Sequence, residues 1–350
     1  MQESLVNLLR CPVTKSKLTI KIIRKVKKEL DGKFVDVIDT AILYAAADCF
    51  YPVIKGIPRL TVEAVIDYED FLANNMDDFA ERRKVLLNKY AALLALAQKR
   101  NKRTKQSFSK EWAVFNSEKD KTWNADEQSM LHRFFAETDE TILTLANKII
   151  FDAGCGNGLL NSYLAKNGVT NIAMDFSNSI EKAYEFNSYS KVHFIQGDVQ
   201  FPPVLFNYFD IVHCSGVLIH TNNTELSFSC IEPLVKTGGK LSVWLYHHRK
   251  NFSHNLFNVI RKVTSKLPLK FQYYLYRLTI FPVSYIIKKI KGNPQNQREM
   301  MIDILDWFTP EFRWEHYHEE VATWFYKRQY NNVTITTDGV FGFNMTGTKN

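Results

Sequence analysis

The 350-residue sequence contains few cysteines, five in all, and they are scattered singly along the chain. An odd number at irregular spacing does not suit a disulfide framework and is typical of the reducing cytoplasm. No stretch reaches the ~18 uninterrupted apolar residues of a membrane-spanning helix. The most apolar stretch, residues 278–287, is shorter and contains a proline. The start of the chain also lacks the features of a signal peptide. These absences predict a cytoplasmic protein without an integral membrane segment.

Acidic residues are absent from two long segments of the chain. Residues 82–110 and residues 249–291 each contain ten Lys or Arg and no Asp or Glu. Together they carry +20, whereas the whole chain carries +8, so the remainder carries a net charge of about −12. Concentrated positive charge can attract nucleic acid, an anionic membrane surface or a phosphorylated substrate. Solvated helical faces explain it equally well, and the sequence leaves these alternatives open.

Three regions of the chain differ in their residue patterns. Residues 1–62 predict a small β-rich unit, with strands at 18–26 and 34–45 around a turn at Asp31-Gly32. Residues 63–147 predict a helical linker or cap, because residues 82–100 lack Gly and Pro and carry an apolar stripe. A second helix is predicted over residues 126–147, where Asp126 can cap its start.

Strand and helix patterns alternate from residue 148 to residue 350. This alternation is typical of an α/β fold with a parallel sheet, so we expect a third, larger domain over residues 148–350. A basic, aromatic-rich insertion at about residues 247–294 interrupts the series. Its placement predicts a lid that faces the substrate. A basic, aromatic-rich insertion can equally rest on a membrane surface or stack on nucleotides.

A glycine-rich loop follows the first strand of this domain, in the stretch IIFDAGCGNGLLN at residues 149–161. A dinucleotide-binding loop needs the spacing G-x-G-x-x-G. Here the third glycine, Gly158, comes one residue early, and Leu159 stands where that pattern requires glycine, which disfavours NAD and FAD. Asp175 ends the next strand, where a carboxylate can accept both hydroxyls of a ribose. Asp198 ends the third strand, and the fourth ends in small residues, Ser215 and Gly216, that let a ligand approach the backbone.

These residues together resemble the successive motifs of class I S-adenosylmethionine-dependent methyltransferases. The resemblance rests on FDAGCGNG, Asp175, GDV at 197–199 and FDIVHCSGVLIH, and it covers about residues 148–246. It implies a seven-stranded Rossmann-like sheet flanked by helices, with S-adenosylmethionine across the carboxyl ends of the strands. It further implies that Asp175 holds the ribose and that Asp198 and Val199 hold the adenine. The methionine side would be shaped by Asp152, Gly154, Gly156 and Gly158.

The N-terminal unit resembles a different family. The stretches LLRCPVTKSKL and YPVIKGIPRL are similar to the small Trm112-like domain, a relative of the zinc ribbon found alone or fused to methyltransferases. A zinc ribbon needs paired C-x-x-C ligands. Cys11 is followed by Thr14 in place of a second cysteine, and no partner lies at ligand spacing from Cys49. We therefore predict a degenerate ribbon without zinc, and no metal site.

Methyl transfer needs a positioned acceptor and, for an O–H or N–H acceptor, a general base. Positioning can account for ~7–11 kcal/mol of a barrier, and a base typically contributes ~10²–10⁴-fold. His220 follows the fourth strand and His247 follows the fifth, so both are candidate catalytic residues. His213 lies within an apolar strand and is predicted to be packed in the core. His316 and His318 are two residues apart, do not share a helix face, and predict an exposed helix start.

The leading functional prediction is a methyltransferase that acts on an O or N atom of a small molecule, or of a glycan- or lipid-linked biosynthetic intermediate. A tRNA methyltransferase is the first alternative, because Trm112-like units accompany RNA-modifying enzymes and the basic segments suit phosphate contacts. No RNA-binding motif is recognisable in the sequence, which places this alternative second. A non-catalytic scaffold that keeps the fold is the third reading.

Overall fold

The structure is a computed structural model that describes residues 1–46, 48–114, 126–249, 252–293 and 295–350. The described residues form one sheet of eleven strands: β1 (Leu18–Leu30), β2 (Lys33–Ala45), β3 (Phe50–Ile54), β4 (Ile57–Leu60), β5 (Ile149–Ala153), β6 (Thr170–Asp175), β7 (Val192–Gly197), β8 (Phe209–Ser215), β9 (Val235–Tyr246), β10 (Tyr330–Asp338) and β11 (Gly342–Lys349). The α-helices are α1 (Ala64–Asp67), α2 (Glu69–Asn75), α3 (Phe79–Val114), α4 (Glu127–Thr138), α5 (Leu159–Lys166), α6 (Ser179–Phe186), α7 (Thr224–Ile231), α8 (Phe252–Thr264), α9 (Leu269–Leu278), α10 (Ile280–Ile290), α11 (Gln297–Phe308) and α12 (His318–Tyr326).

The strand order places the strands from residue 149 onward side by side. The strand order is β1-β2-β3-β4-β7-β6-β5-β8-β9-β11-β10. Every neighbouring pair in the series β4-β7-β6-β5-β8-β9 is parallel. These parallel strands are buried along most of their length, as expected for a sheet covered on both faces. The predicted α/β fold is therefore confirmed. The carboxyl ends of the parallel strands meet at one edge, which is where the predicted ligand residues lie.

The predicted count of seven strands is wrong for the sheet as a whole. Seven strands come from the region after residue 148, but the four N-terminal strands extend the same sheet. The join is the parallel pairing of β4 with β7, in which Arg59 lies opposite Gln196 and Leu60 opposite Gly197. Leu60 and Val212 also belong to one hydrophobic core that spans the N-terminal strands and the central sheet. The N-terminal unit thus packs as part of a continuous structure.

One turn and two helix ends explain where β1, β2 and α4 begin or stop. The predicted Asp31-Gly32 turn joins β1 and β2, with φ of 51° and 72°, the left-handed values that a two-residue hairpin of this type requires. The side chain of Asp126 accepts from the Ser129 N–H at 2.9 Å and caps α4, as predicted. However, α4 ends at Thr138 rather than at residue 147, because Asp139 adopts a left-handed conformation with φ 52°.

The segment after β9 is helical. It contains α8, α9 and α10 and is followed by α11. Tyr276 of α9, Phe281 of α10 and Met300 of α11 pack together in a separate apolar cluster. Across the ranges that the structure describes, none of the helices combines the length and the apolar character needed to cross a membrane.

Candidate functional site

A cavity of about 1290 Å³ lies at the carboxyl ends of β5 to β9. It is larger than the ~300–1,000 Å³ of a typical single-ligand pocket, so it has room for two molecules side by side. Most of the residues predicted to bind the cofactor line it: Asp152, Gly154, Gly156, Asp175, Asp198, Val199 and Ser215. Gly158 is not among the lining residues and lies at the start of α5.

The glycine loop needs its glycines for two different reasons. Gly154 has φ 102°, and a Cβ atom there would lie 2.2 Å from Cγ2 of Val217. Gly158 has φ 68°, and a Cβ atom there would lie 2.6 Å from Cβ of Ala183. Gly154 therefore shapes the cavity wall, whereas Gly158 allows the start of α5 to approach α6.

Asp175 holds the glycine loop in place as well as facing the cavity. Its Oδ2 accepts from the Gly156 N–H at 2.9 Å, and its Oδ1 accepts from the Ser177 N–H at 2.7 Å and the Ser177 hydroxyl at 2.6 Å. Burial raises the pKa of this carboxyl, although the hydrogen bonds from Ser177 and Gly156 oppose the change. The contact to the ribose, predicted for this residue, stays a prediction.

Asp198 is reached by residues of the linker helix that the sequence analysis missed. Its Oδ1 accepts from the Gln200 N–H at 2.9 Å, and its Oδ2 accepts from Asn101 Nδ2 at 3.2 Å. The guanidinium of Arg100 also contacts Oδ2. Arg100 and Asn101 belong to α3 and line the cavity, so the linker contributes to the predicted adenine end. Their basic surroundings in the sequence gave no signal that separates them from a solvated helical face.

His213 is buried, as predicted, but it is more than a packing residue. Its Nδ1 lies 3.0 Å from Oδ1 of Asp152, and its Nε2 lies 2.7 Å from Oε2 of Glu137, on α4. Burial lowers the pKa of the imidazole, but the hydrogen bonds to Asp152 and Glu137 outweigh it and raise the pKa to about 9. Ser215 Oγ donates to Glu137 at 3.2 Å. A charged, hydrogen-bonded group therefore underlies the predicted methionine end of the cavity, and Glu137 is a third residue that the sequence analysis missed, after Arg100 and Asn101.

His220 lines the cavity and is only 5% exposed. Its Nδ1 lies 2.9 Å from the carbonyl oxygen of Phe312, which can only accept, so Nδ1 carries the proton and Nε2 carries the lone pair. Burial lowers the pKa of this imidazole to about 4, so His220 is neutral at physiological pH. A neutral histidine on the cavity wall has the protonation state that a general base requires.

His247, unlike His220, is not among the residues that line the cavity. Its Nε2 is 2.6 Å from Oδ1 of Asp338, and one ring nitrogen of His318 lies within 4.8 Å of both. These three groups could hold a metal ion. However, two ligands of a tetrahedral zinc ion lie about 3.3 Å apart, given Zn–N distances of about 2.05 Å, so the contact between His247 and Asp338 is a direct hydrogen bond.

His316 and His318 point to different neighbours, which agrees with their spacing. His316 Nε2 lies 3.0 Å from the Thr224 hydroxyl, and its Nδ1 lies 3.1 Å from Glu320. His316 is only 8% exposed. The prediction of an exposed helix start is therefore wrong for His316, because the sequence does not show that α7 packs against this segment.

The second half of the cavity is formed by α8, α10 and α11. Ile280, Val283 and Ile287 of α10 line it, together with Trp307 of α11. Asp306 lies among these apolar groups, and its burial, reinforced by Asp303, raises its pKa to about 6. This half therefore combines apolar side chains with polar and charged ones, among them Ser284, Lys288, Asp303 and Asp306, a mixture that suits a small organic molecule with a polar group.

Comparison with known proteins gives one family match within the chain. Residues 151–243 match the family model described as methyltransferase domain. Two relatives, both named ubiquinone biosynthesis O-methyltransferase, are 28% identical over 124 residues in Coxiella burnetii and 29% identical over 126 residues in Azoarcus sp.. These alignments cover 35% and 33% of this chain and 52% and 51% of the relatives. The chain thus spans about half the length of the curated relatives it matches.

Solved structures give weaker likenesses. A magnesium protoporphyrin IX methyltransferase from Synechocystis with bound SAH has a TM-score of 0.42 and 15% identity, covering 71% of this chain and 98% of that one. PKMT2 from Rickettsia typhi in complex with AdoHcy has a TM-score of 0.44 and 14% identity, covering 63% and 52%. Similarity at this level does not transfer a substrate. The family match agrees with the prediction of a methyltransferase domain in this part of the chain.

Proposed function

We propose that this chain transfers the methyl group of S-adenosylmethionine to a hydroxyl oxygen of a small, largely apolar acceptor. The observation that carries the proposal is the single cavity, which joins the predicted cofactor residues to His220 and to the apolar half beneath α8, α10 and α11. The names of the relatives favour oxygen over nitrogen as the acceptor atom. A glycan- or lipid-linked intermediate remains within this proposal when its reacting end is small enough to enter the cavity.

Each cofactor contact follows from the position of a side chain on the cavity wall. Asp175 would accept hydrogen bonds from the ribose hydroxyls, and Asp198 with Val199 would bind the adenine. Gly154 and Gly156 would let the methionine part approach the backbone, above the charged His213. When bound, the cofactor supplies an electrophilic methyl group on a sulfonium.

His220 is proposed as the general base. The acceptor oxygen would take the methyl group that the cofactor supplies, and S-adenosylhomocysteine would leave. The proton of the hydroxyl passes to Nε2 of His220, whose Nδ1–H remains bonded to the Phe312 carbonyl. We do not assign this role to His247, because it lies outside the cavity lining and is bonded to Asp338.

The N-terminal unit is proposed to be a Trm112-like domain without zinc, in a protein of the cytoplasm. Its supporting features are the antiparallel strands β1 to β4 and the two buried cysteines, Cys11 and Cys49. Cys11 Sγ lies 3.2 Å from the Tyr51 hydroxyl, and a hydrogen bond from Cys49 lowers the pKa of the Cys11 thiol. The pair is thus bonded to side chains of its own unit, which supports a structural role.

A tRNA acceptor is the alternative that the basic segments suggested, and α3 gives it little support. Several cations of residues 82–110 form ion pairs with acidic residues: Arg82 with Asp78, Arg83 with Glu69, Arg100 with Asp198 and Lys105 with Asp67. Such pairing reduces the positive charge available for phosphates. A non-catalytic scaffold is the other alternative.

Incubation with radiolabelled S-adenosylmethionine and fractionated cell extract tests the proposal. We expect label in the small-molecule or lipid fraction with the wild-type chain, and none with Asp175→Ala. The matched control is Asp70→Ala, which removes an exposed carboxylate on α2. Label in RNA would establish the tRNA alternative in its place. Cofactor binding in calorimetry without label in any fraction would favour the scaffold.

A further inference from the structure

The helices of the insertion expose apolar stripes to solvent. On α10 the exposed residues Val283, Ile286, Ile287 and Ile290 recur at i, i+3, i+4 and i+7, which places them on one side of the helix. On α9 the exposed residues Phe271, Tyr274 and Leu278 follow the same spacing, and α8 adds Val259 and Val263. A surface helix normally turns such a stripe toward the core. We call the exposed surface of α8, α9 and α10 the basic helical face, for the reason given next.

Positive charge accompanies these stripes and is not neutralised within the described parts of the chain. Residues 249–291 contain no acidic residue. The exposed cations of the three helices and of the residues beside them are Lys262, Lys266, Lys270, Arg277, Lys289 and Lys291, and no ion pair is found for them among the described residues. Lys288 is the exception, since it pairs with Asp303 of α11 at 2.7 Å. This differs from α3, where several cations are paired with acidic groups.

The basic helical face continues into the cavity wall. Val283 and Ile287 are 58% and 48% exposed, yet both line the cavity, and so does Phe257 of α8 at 44%. The acceptor half of the cavity therefore opens between apolar side chains that also face solvent. An apolar acceptor can contact these side chains on its way from the surface into the site, beside Ser284 and Lys288, which line the same wall.

These observations favour one occupant. A second copy of the chain would bring two positively charged faces together, which is electrostatically unfavourable. Single-stranded nucleic acid binds through aromatic side chains on which bases stack. The face does expose Phe271 and Tyr274 on α9, but the stripe on α10, which continues into the cavity wall, is aliphatic. A lipid surface with anionic headgroups accepts both aliphatic side chains and lysines, because the aliphatic groups enter the boundary with the acyl chains and the lysines remain with the headgroups.

We propose that the basic helical face docks on an anionic lipid surface and that the acceptor enters the cavity from that surface. The docking stands independently of the methyl-transfer proposal, whereas the entry of the acceptor rests on it. The acceptor class is thereby narrowed to a hydroxylated molecule that partitions into a lipid layer.

Vesicle co-sedimentation of the full chain tests the docking without any methyl transfer. We expect binding to vesicles that contain phosphatidylglycerol and weak binding to pure phosphatidylcholine, with affinity falling as salt rises. Lys289→Ala with Lys291→Ala should weaken binding about 25-fold, at about fivefold for each cation. Ile286→Glu with Ile290→Glu should weaken it further. The control is Leu143→Glu, at a residue that is 83% exposed outside these helices and should leave binding unchanged.

Three results would overturn the docking proposal. The first is no binding to anionic vesicles at low salt by a chain that still binds S-adenosylhomocysteine and unfolds cooperatively. The second is loss of self-association, instead of vesicle binding, in Ile286→Glu with Ile290→Glu. The third is a wild-type chain that binds an RNA or acidic peptide probe but no vesicles, and that loses the probe in Ile286→Glu with Ile290→Glu.

The entry of the acceptor has its own measurement. With an acceptor dissolved in anionic vesicles, the wild type should turn over faster than the double variant Ile286→Glu with Ile290→Glu. The ratio of the two rates should be at least the fold-change in vesicle affinity between them. With the same acceptor held in neutral detergent micelles, the two rates should be equal. Equal rates in both settings would reject entry from the lipid, and absence of any turnover would reject the proposed function while leaving the sedimentation result intact.

Discussion

The guanidinium of Arg100, on α3, contacts the carboxylate of Asp198 at the carboxyl end of β7. Both side chains are largely buried, with 16% and 9% of their side-chain surface exposed. Asp198 is the residue predicted to bind the adenine amine, and the Arg100 guanidinium already donates to its Oδ2. This relationship makes α3 part of the cavity wall at the predicted adenine end.

Replacing Arg100 by Met should destabilise the free chain and strengthen cofactor binding. A lost hydrogen bond to a charged group costs about 1.5–3 kcal/mol in the free energy of unfolding. The adenine amine can then replace the missing donor, so S-adenosylmethionine should raise the Tm of Arg100→Met more than that of the wild type. Thermal unfolding with and without cofactor measures both effects. Arg82→Met, at an exposed ion pair on the same helix, is the control. A smaller cofactor-induced rise in Arg100→Met than in the wild type would contradict the prediction.

Replacing Asp175 by Ala should weaken cofactor binding by at least ~100-fold. The substitution removes the predicted ribose contacts, each a hydrogen bond to a charged group worth about 1.5–3 kcal/mol. It also removes the acceptor for the Gly156 N–H, which holds the glycine loop. Calorimetric titration with S-adenosylhomocysteine measures the change. If Asp175→Ala binds S-adenosylhomocysteine with the same dissociation constant as the control Asp70→Ala, then Asp175 only supports the loop.

His213 should make stability depend on pH between about 6.5 and 9. Burial lowers the pKa of its imidazole, but Asp152 and Glu137 outweigh this effect and raise the pKa to about 9, from 6.5 in the unfolded chain. A raised pKa contributes stability that is fully present below pH 6.5 and is lost as the pH rises through 9. The contribution is about 3 kcal/mol at most, at 1.36 kcal/mol per pKa unit. Urea unfolding should show this decrease in the wild type. In His213→Gln the decrease should be absent, and an equal slope in both would refute the assignment.

His220→Ala should reduce the rate of single-turnover methyl transfer by ~10²–10⁴-fold, the usual contribution of a general base. Cofactor affinity should be unchanged, because His220 acts on the acceptor. The pKa of His220 is lowered to about 4, so its protonation should reduce the wild-type rate only as the pH approaches 4. His247→Ala is the matched control, and its rate should stay near that of the wild type. The reverse ranking of the two variants would exchange their proposed roles.

Metal analysis should find no tightly bound zinc, and a chelator should leave the Tm unchanged. Cys11 and Cys49 supply only two thiolates, whereas a structural zinc ion takes four ligands. Cys11 is instead bonded to Tyr51 and to the Thr14 N–H. One zinc ion per chain that is lost in Cys11→Ser would contradict this prediction.

The sequence by itself determined the elements whose reasons are local. The loop at residues 149–161 was recognisable because its glycines are needed for backbone conformation, and Gly154 and Gly158 do have positive φ. The Asp31-Gly32 turn and the Asp126 cap were also predictable, because each depends only on residues close by in the sequence. Asp175, Asp198 and Ser215 follow strands, and parallel strands place the residues that follow them at one edge of a sheet. All three line the cavity.

Only the tertiary structure decided which distant residues complete the site. Arg100 reaches Asp198 from 98 positions earlier in the chain, and Glu137 reaches His213 from 76 positions earlier. No periodicity or spacing encodes such contacts, because they depend on how whole helices pack against the sheet. The same packing places His220 in the cavity wall and leaves His247 outside the lining, although both histidines follow strands in the sequence. It also joins β4 to β7, so that the sheet has eleven strands where the motifs implied seven.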